Sequence, residues 1–237
     1  MYQPAHFTET DPQALLALMR EAPLATLVHG GADGPVADLL PLEVLPGAAD
    51  GSGWVLRGHV ARANPLWQAA AGRAVLALFA GPQAYVSPNW YPAKAEHHKV
   101  VPTWNYSLVQ AHGVLRAIPD ADWLHALVSR LTDHHEAGRG ERPWQFADAP
   151  ADYRAAMLRN IVGIEIAVTR LEGKAKLSQN RAEADRLGVI AGLRADAAAG
   201  RQPQAAAVAE AMARNEAARA AAGGAVSAAP APPSPAA

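Results

Sequence analysis

A chain of 237 residues with 21 Lys and Arg against 22 Asp and Glu carries a net charge of -1 and contains no cysteine. That excludes disulfides, thiolate zinc sites and cysteine-held iron–sulfur clusters, and it gives no global basic footprint for nucleic acid, although a local basic face stays open. The length suits one core of about 150 to 200 residues with an appendage. The start, MYQPAHFTETDPQ, lacks the basic residues and apolar run of a signal peptide, and no segment approaches the ~20 apolar residues that span a bilayer. A cytoplasmic protein with no membrane partner is therefore expected.

In TDPQALLALMRE, Thr10 stands three residues before Gln13 at capping-box spacing, and Leu15, Leu18, Met19 and Ala22 share a face, which predicts a short amphipathic helix. From Leu24 the texture changes to LATLVHG, VADLLPLEVL and WVLRGHV, short apolar runs separated by GGADGP and PGAADGSG, the pattern of a β-meander. Asn64 and Pro65 supply an N-cap and first turn for a small helix, NPLWQAAAG. AVLALFAG and AYVSP then read as two strands across a Gly-Pro turn, and WNYSLVQAHGVLRAI as a longer one.

DADWLHALVSRLTDHHEAG places Leu124, Leu127, Val128 and Leu131 at helical spacing behind Asp120 or Asp122 as N-cap. After a short helix around DYRAAMLRN, Ile164, Ile166 and Val168 alternate with Glu165, Ala167 and Thr169 in a half-buried strand. Six or seven antiparallel strands with few helices favour a small closed barrel, because closure removes exposed edges. Past KLSQNR the composition predicts helices at about 182–193 and 203–221. The Ala/Pro-rich end, 222–237, is expected to be disordered.

Three stretches combine a strand end with polar groups that a core would not accommodate. In GHVARANP (58–65), Gly58 permits close approach, while His59, Arg62 and Asn64 offer donors for an anion; the plainer reading is a surface charge and an ordinary N-cap. In VPTWNYSLVQAHG (101–113), Trp104 and Asn105 follow a proline that fixes the approach, which suits a flat heteroaromatic ligand or simple aromatic packing. In EGKAKLSQNR (172–181), Lys174, Lys176, Ser178, Gln179, Asn180 and Arg181 crowd together after a strand. The paired histidines, 97 with 98 and 134 with 135, have no metal-ligand spacing, so no metal site is expected.

Taken in order and spacing, MYQPAHF, GHVARANP, AYVSPNWY, VPTWNY, VQAHG and EGKAKLSQNR resemble the PaiB-type family of FMN-binding negative transcriptional regulators, over roughly residues 1 to 193. The resemblance implies a mainly β fold with flanking helices (α+β), the FMN-binding split β-barrel of PNP-oxidase-like proteins, working as a homodimer with flavin at the subunit interface. Together with the composition of the chain's end, it divides the chain into a split-barrel domain over 1–181, a helical extension over 182–221 and a tail over 222–237. It places His59, Ala61, Arg62 and Asn64 at the FMN phosphate and ribityl chain, Thr103, Trp104 and Asn105 beside the ring, and Lys176, Gln179, Asn180 and Arg181 in a segment that reaches it. The loop YVSPNWYPAKAEHHKVVPTWNY (85–106), with five aromatic rings, would wall the flavin. One departure is that the Ser/Thr-rich phosphate turn of the oxidases is here Ala61-Arg62-Ala63. Promoter DNA is the further partner implied, with little support from charge. A flavin-sensing regulator and an FMN-dependent oxidoreductase or haem-degrading enzyme both remain open, since a fold does not decide between them.

Overall fold

The structure, a computed structural model, describes residues 1–47 and 53–226. The predicted turn PGAADGSG falls mostly outside the described residues, as do residues 227–237 of the expected tail. Among the described residues eight strands form one sheet: β1 (Thr8–Glu9), β2 (Leu24–Gly31), β3 (Gly34–Pro41), β4 (Glu43–Leu45), β5 (Val55–Ala61), β6 (Ala74–Val86), β7 (Thr103–Ile118) and β8 (Ile161–Lys176). Their order is β3-β2-β6-β7-β8-β5-β4, with β1 added at the far end of β8. Pairing is antiparallel between β2 and β3, β2 and β6, β4 and β5, and β5 and β8. β1 and β4 are two and three residues long, too short for a hydrophobic period to reveal them.

Helix α1 (Pro12–Glu21) is capped by Asp11, whose carboxylate accepts from the Gln13 N–H at 3.0 Å. The cap is therefore one residue later than the Thr10 box, with Pro12 at the first turn. Helix α2 (Leu66–Ala69) starts as predicted, with Asn64 Oδ1 accepting from the Leu66 N–H at 2.8 Å. A further short helix, α3, spans Ala93–His97. Helix α4 (Ala121–Glu136) is capped by Asp120 at 2.7 Å from the Trp123 N–H and buries Leu124 and Leu127. α5 (Ala151–Arg159), α6 (Glu183–Ala198) and α7 (Ala205–Val226) complete the set.

One expectation fails: AVLALFAG and AYVSP are a single 13-residue strand, and Gly81-Pro82 makes no turn. Proline is tolerated where the ladder does not need its N–H. Beyond Pro82, the Gln83 and Tyr85 N–H groups donate to the side chains of Gln204 and Gln202, both at 2.8 Å, rather than to a strand.

The chain divides into two compact units. The first comprises Met1–Gln3, Thr8–Gly81 and Leu108–Lys174; the second comprises Pro4–Phe7, Pro82–Ser107 and Ala175 onward. The first is filled by Met19, Leu27, Leu56, Phe79, Leu115, Ile164 and Ile166. In the second, Ala84, Val86 and Tyr91 pack with Leu177, Val189, Leu193, Val208 and Met212.

Candidate functional site

In the first unit, β5 alternates Leu56, Gly58 and Val60 into the core with Arg57, His59 and Ala61 outward. His59 thereby lines a cleft with Pro41, Val128, Leu131, Thr132, His135, Glu136 and Trp144. Its burial pushes the imidazole below its ordinary pKa. Arg62 lines a different cleft of about 330 Å³, with Pro119, Asp122, His125, Leu158 and Arg159 among its walls. The structure therefore sets these two predicted phosphate residues in separate recesses.

The Arg62 guanidinium already has protein partners. Nε donates to the Arg159 carbonyl at 2.7 Å and Nη2 to the Ile161 carbonyl at 3.0 Å, while the backbone N–H reaches the Asn160 carbonyl at 2.7 Å. These carbonyls lie at and just past the end of α5, where the helix leaves acceptors unsatisfied. Asn64 is likewise engaged, donating to Asp38 Oδ1 at 2.8 Å while its oxygen caps α2. Ala61 and Asn160-flanking Ile161 are register partners, so this turn is fixed by the β5–β8 pairing. For an anion, the donor set on this cleft is the rest of the Arg62 fork together with Arg159 and His125. That set fits a phosphate, and no sequence motif reveals Arg159, which lies 97 residues away.

In the second unit, Thr103, Trp104, Asn105, Lys176 and Gln179 come together. Lys176 Nζ donates to Thr103 Oγ1 at 2.6 Å and to the Trp104 carbonyl. Trp104 and Asn105 do not face one ligand, because neighbours on a strand point opposite ways. Trp104 is 52% exposed, and its ring meets Tyr85 edge-on at 6.3 Å. Asn105 is fully buried, with Nδ2 donating to Ser178 Oγ at 3.0 Å and to Met212 Sδ at 3.3 Å. Ser178 holds a left-handed φ of 65°. That conformation is supported by Gln179, which accepts from the Leu177 N–H at 2.7 Å and donates to the Ala175 carbonyl at 2.6 Å.

The ring-rich loop thus splits. Tyr91 is buried in the second core with the Arg181 guanidinium 5.0 Å from its ring centre, and burial pushes its phenol up despite that charge. Trp90 seats on α6, where a Cβ at Gly192 would stand 2.2 Å from its ring. Of the five rings, Tyr85 and Trp104 are the most exposed, Trp90 and Tyr106 being half-buried, and Asn180 is exposed. By the same alternation Thr103, and the Lys176 ammonium bonded to it, fall on the face opposite the Trp104 indole, so what this strand end offers a flat ring is the half-exposed indole. Among the described residues no group of three or more His, Asp or Glu is placed to hold a metal ion.

Residues 1–170 match the family described as "Putative FMN-binding domain". The chain belongs to that family. It is 34% identical over 226 residues to an uncharacterized protein of Emericella nidulans, covering 81% of this chain and 90% of that one. It is 31% identical over 191 residues to the protease synthase and sporulation protein PAI 2 of Bacillus subtilis, covering 80% and 87%. Among solved structures, the flavocytochrome Anf3 of Azotobacter vinelandii aligns with a TM-score of 0.53 at 14% identity, covering 76% of this chain and 75% of that one. The FAD and heme binding protein of Mycobacterium smegmatis gives 0.53 at 18%, covering 75% and 78%. At such identity the likeness speaks to fold alone, a split barrel with flanking helices.

Proposed function

We propose that the protein is an FMN-binding transcriptional regulator of the PaiB type, a cytoplasmic homodimer that senses flavin and represses its target promoters. The observation that carries this reading is the likeness to the Bacillus subtilis sporulation protein over four-fifths of the chain. FMN binding is supported by the family, by the cleft at Arg62 and by the exposed indole of Trp104. In the first unit Arg62 would contact the phosphate, aided by Arg159. Separately, in the second unit Trp104 offers a stacking face to a flat ring, with Thr103, Lys176, Asn105, Gln179 and Arg181 holding that segment in place. Bound FMN supplies a redox-active isoalloxazine; the chain supplies orientation and charge.

A sensed ligand must bind two states of the protein unequally, since equal affinity shifts nothing. The test reconstitutes the protein with FMN, records its absorption, and measures binding to its own promoter DNA at stated salt, with NAD(P)H oxidation and haem breakdown assayed in parallel. Promoter-specific binding that changes about tenfold or more with FMN is the expected result. Efficient turnover of either substrate without promoter-specific binding would replace this reading with the FMN-dependent oxidoreductase or haem-degrading enzyme.

A further inference from the structure

The cleft on the outer face of β5 is not used by the reading above. Its volume is about 310 Å³, at the lower end of what a small ligand occupies. Val128, Leu131 and Pro41 make it apolar, and Trp144, 46% exposed, leaves an indole ring open at its edge. Flat faces and aliphatic walls select a flat, apolar body. The polar groups are Thr132, His135, Glu136 and His59.

His59 gives the cleft its chemistry. Nδ1 is shut off from solvent and has no hydrogen-bond partner among the described residues. An unpaired buried acceptor is tolerated more readily than an unpaired buried donor, so the proton belongs on Nε2 and the lone pair on Nδ1. The ring is half-buried, which leaves Nε2 to meet a ligand. Burial also keeps the imidazole neutral near pH 7, removing the attraction that an anion would need. The group sought is a neutral hydrogen-bond acceptor.

We propose that this cleft is a second small-molecule site, separate from the flavin site, which takes a small neutral planar aromatic molecule bearing a ring nitrogen or carbonyl that accepts from His59 Nε2. Such a ligand would stack on Trp144 and lie along Val128 and Leu131. The site is built within the first unit and stands whether or not FMN binds.

Quinoline, an acceptor with no N–H, and indole, a donor of similar shape, are the probes. Each is titrated at pH 7.5 into protein carrying labelled histidine, with the His59 ring signals assigned from the His59→Phe variant. Saturable shifts of His59 with quinoline are expected, with affinity about tenfold or more above that for indole. His59→Phe, read by isothermal titration calorimetry, should lose that preference, and Thr132→Phe, which adds a ring to the cleft wall, should weaken quinoline by a similar factor. No saturable shift, equal affinity for the two probes, or unchanged quinoline binding in both variants would overturn the proposal. So would displacement of quinoline by FMN, because the cleft would then belong to the flavin.

Discussion

In Arg62 the Nε proton and one Nη2 proton are engaged by the carbonyls of Arg159 and Ile161, so Nη1, the second Nη2 proton and the charge are what remain for a phosphate. Replacing Arg62 by Ala should lower FMN affinity about ten- to a hundredfold and, separately, lower stability by about 1 kcal/mol, since these contacts are exposed. Fluorescence titration of FMN and urea unfolding separate the two effects; unchanged affinity would remove Arg62 from the phosphate contact. His59 yields a pH dependence. Its folded pKa lies below the ordinary 6.5, so the unfolded chain takes up the proton first. The stability contribution is intact above 6.5 and is lost as pH falls from there through the depressed folded value. His59→Phe should flatten the fall in the urea midpoint below pH 6.5, and an identical slope in the two proteins would show that burial of this ring is not its source. The sequence made the polar character of these positions legible. It did not disclose their partners, which come from residues as distant as Arg159 and Met212, and a motif carries no record of the pleat that turns Trp104 and Asn105 to opposite faces.

Helix α6 carries Gly188 and Gly192 one turn apart, and both lie against the segment that ends in Trp90. A Cβ at Gly188 would stand 2.2 Å from the Trp90 carbonyl oxygen, and one at Gly192 the same distance from the indole. Alanine improves helix propensity by about 1 kcal/mol, yet overpacking costs about 1 to 3 kcal/mol. The clash with backbone and ring should win, so Gly192→Ala lowers the thermal midpoint; a rise would mean that Trp90 moves aside at little cost. Most helices were legible in the chain because caps and spacing are local: Asp120, one of two caps offered, and Asn64 serve, whereas α1 takes Asp11 in place of Thr10 and the short α3 gave no signal. β6 was not legible. Its Gly81-Pro82 resembles a turn until the side chains of Gln202 and Gln204 are seen to supply acceptors for the donors beyond it. Such partners, more than 100 residues away in sequence, leave no local periodicity.

For the molecule as a whole, FMN that binds only the folded protein should raise its unfolding free energy by about 2.7 kcal/mol at a hundred times the Kd. If flavin sits at a homodimer interface, the same linkage must tighten the dimer, and sedimentation at micromolar protein with and without FMN measures it. A monomer under both conditions would reject the dimer. The match to the family ends at residue 170, whereas the second core draws Leu177, Val189, Leu193, Val208 and Met212 from beyond it. A boundary drawn by likeness is thus not a boundary of folding. A chain cut after Arg170 would retain Ala84, Val86 and Tyr91 while losing the helices that cover them, and would present an apolar face to water. It should aggregate or bind a hydrophobic dye where the full chain does not, so that any assay made on the family segment by itself would report on a damaged surface.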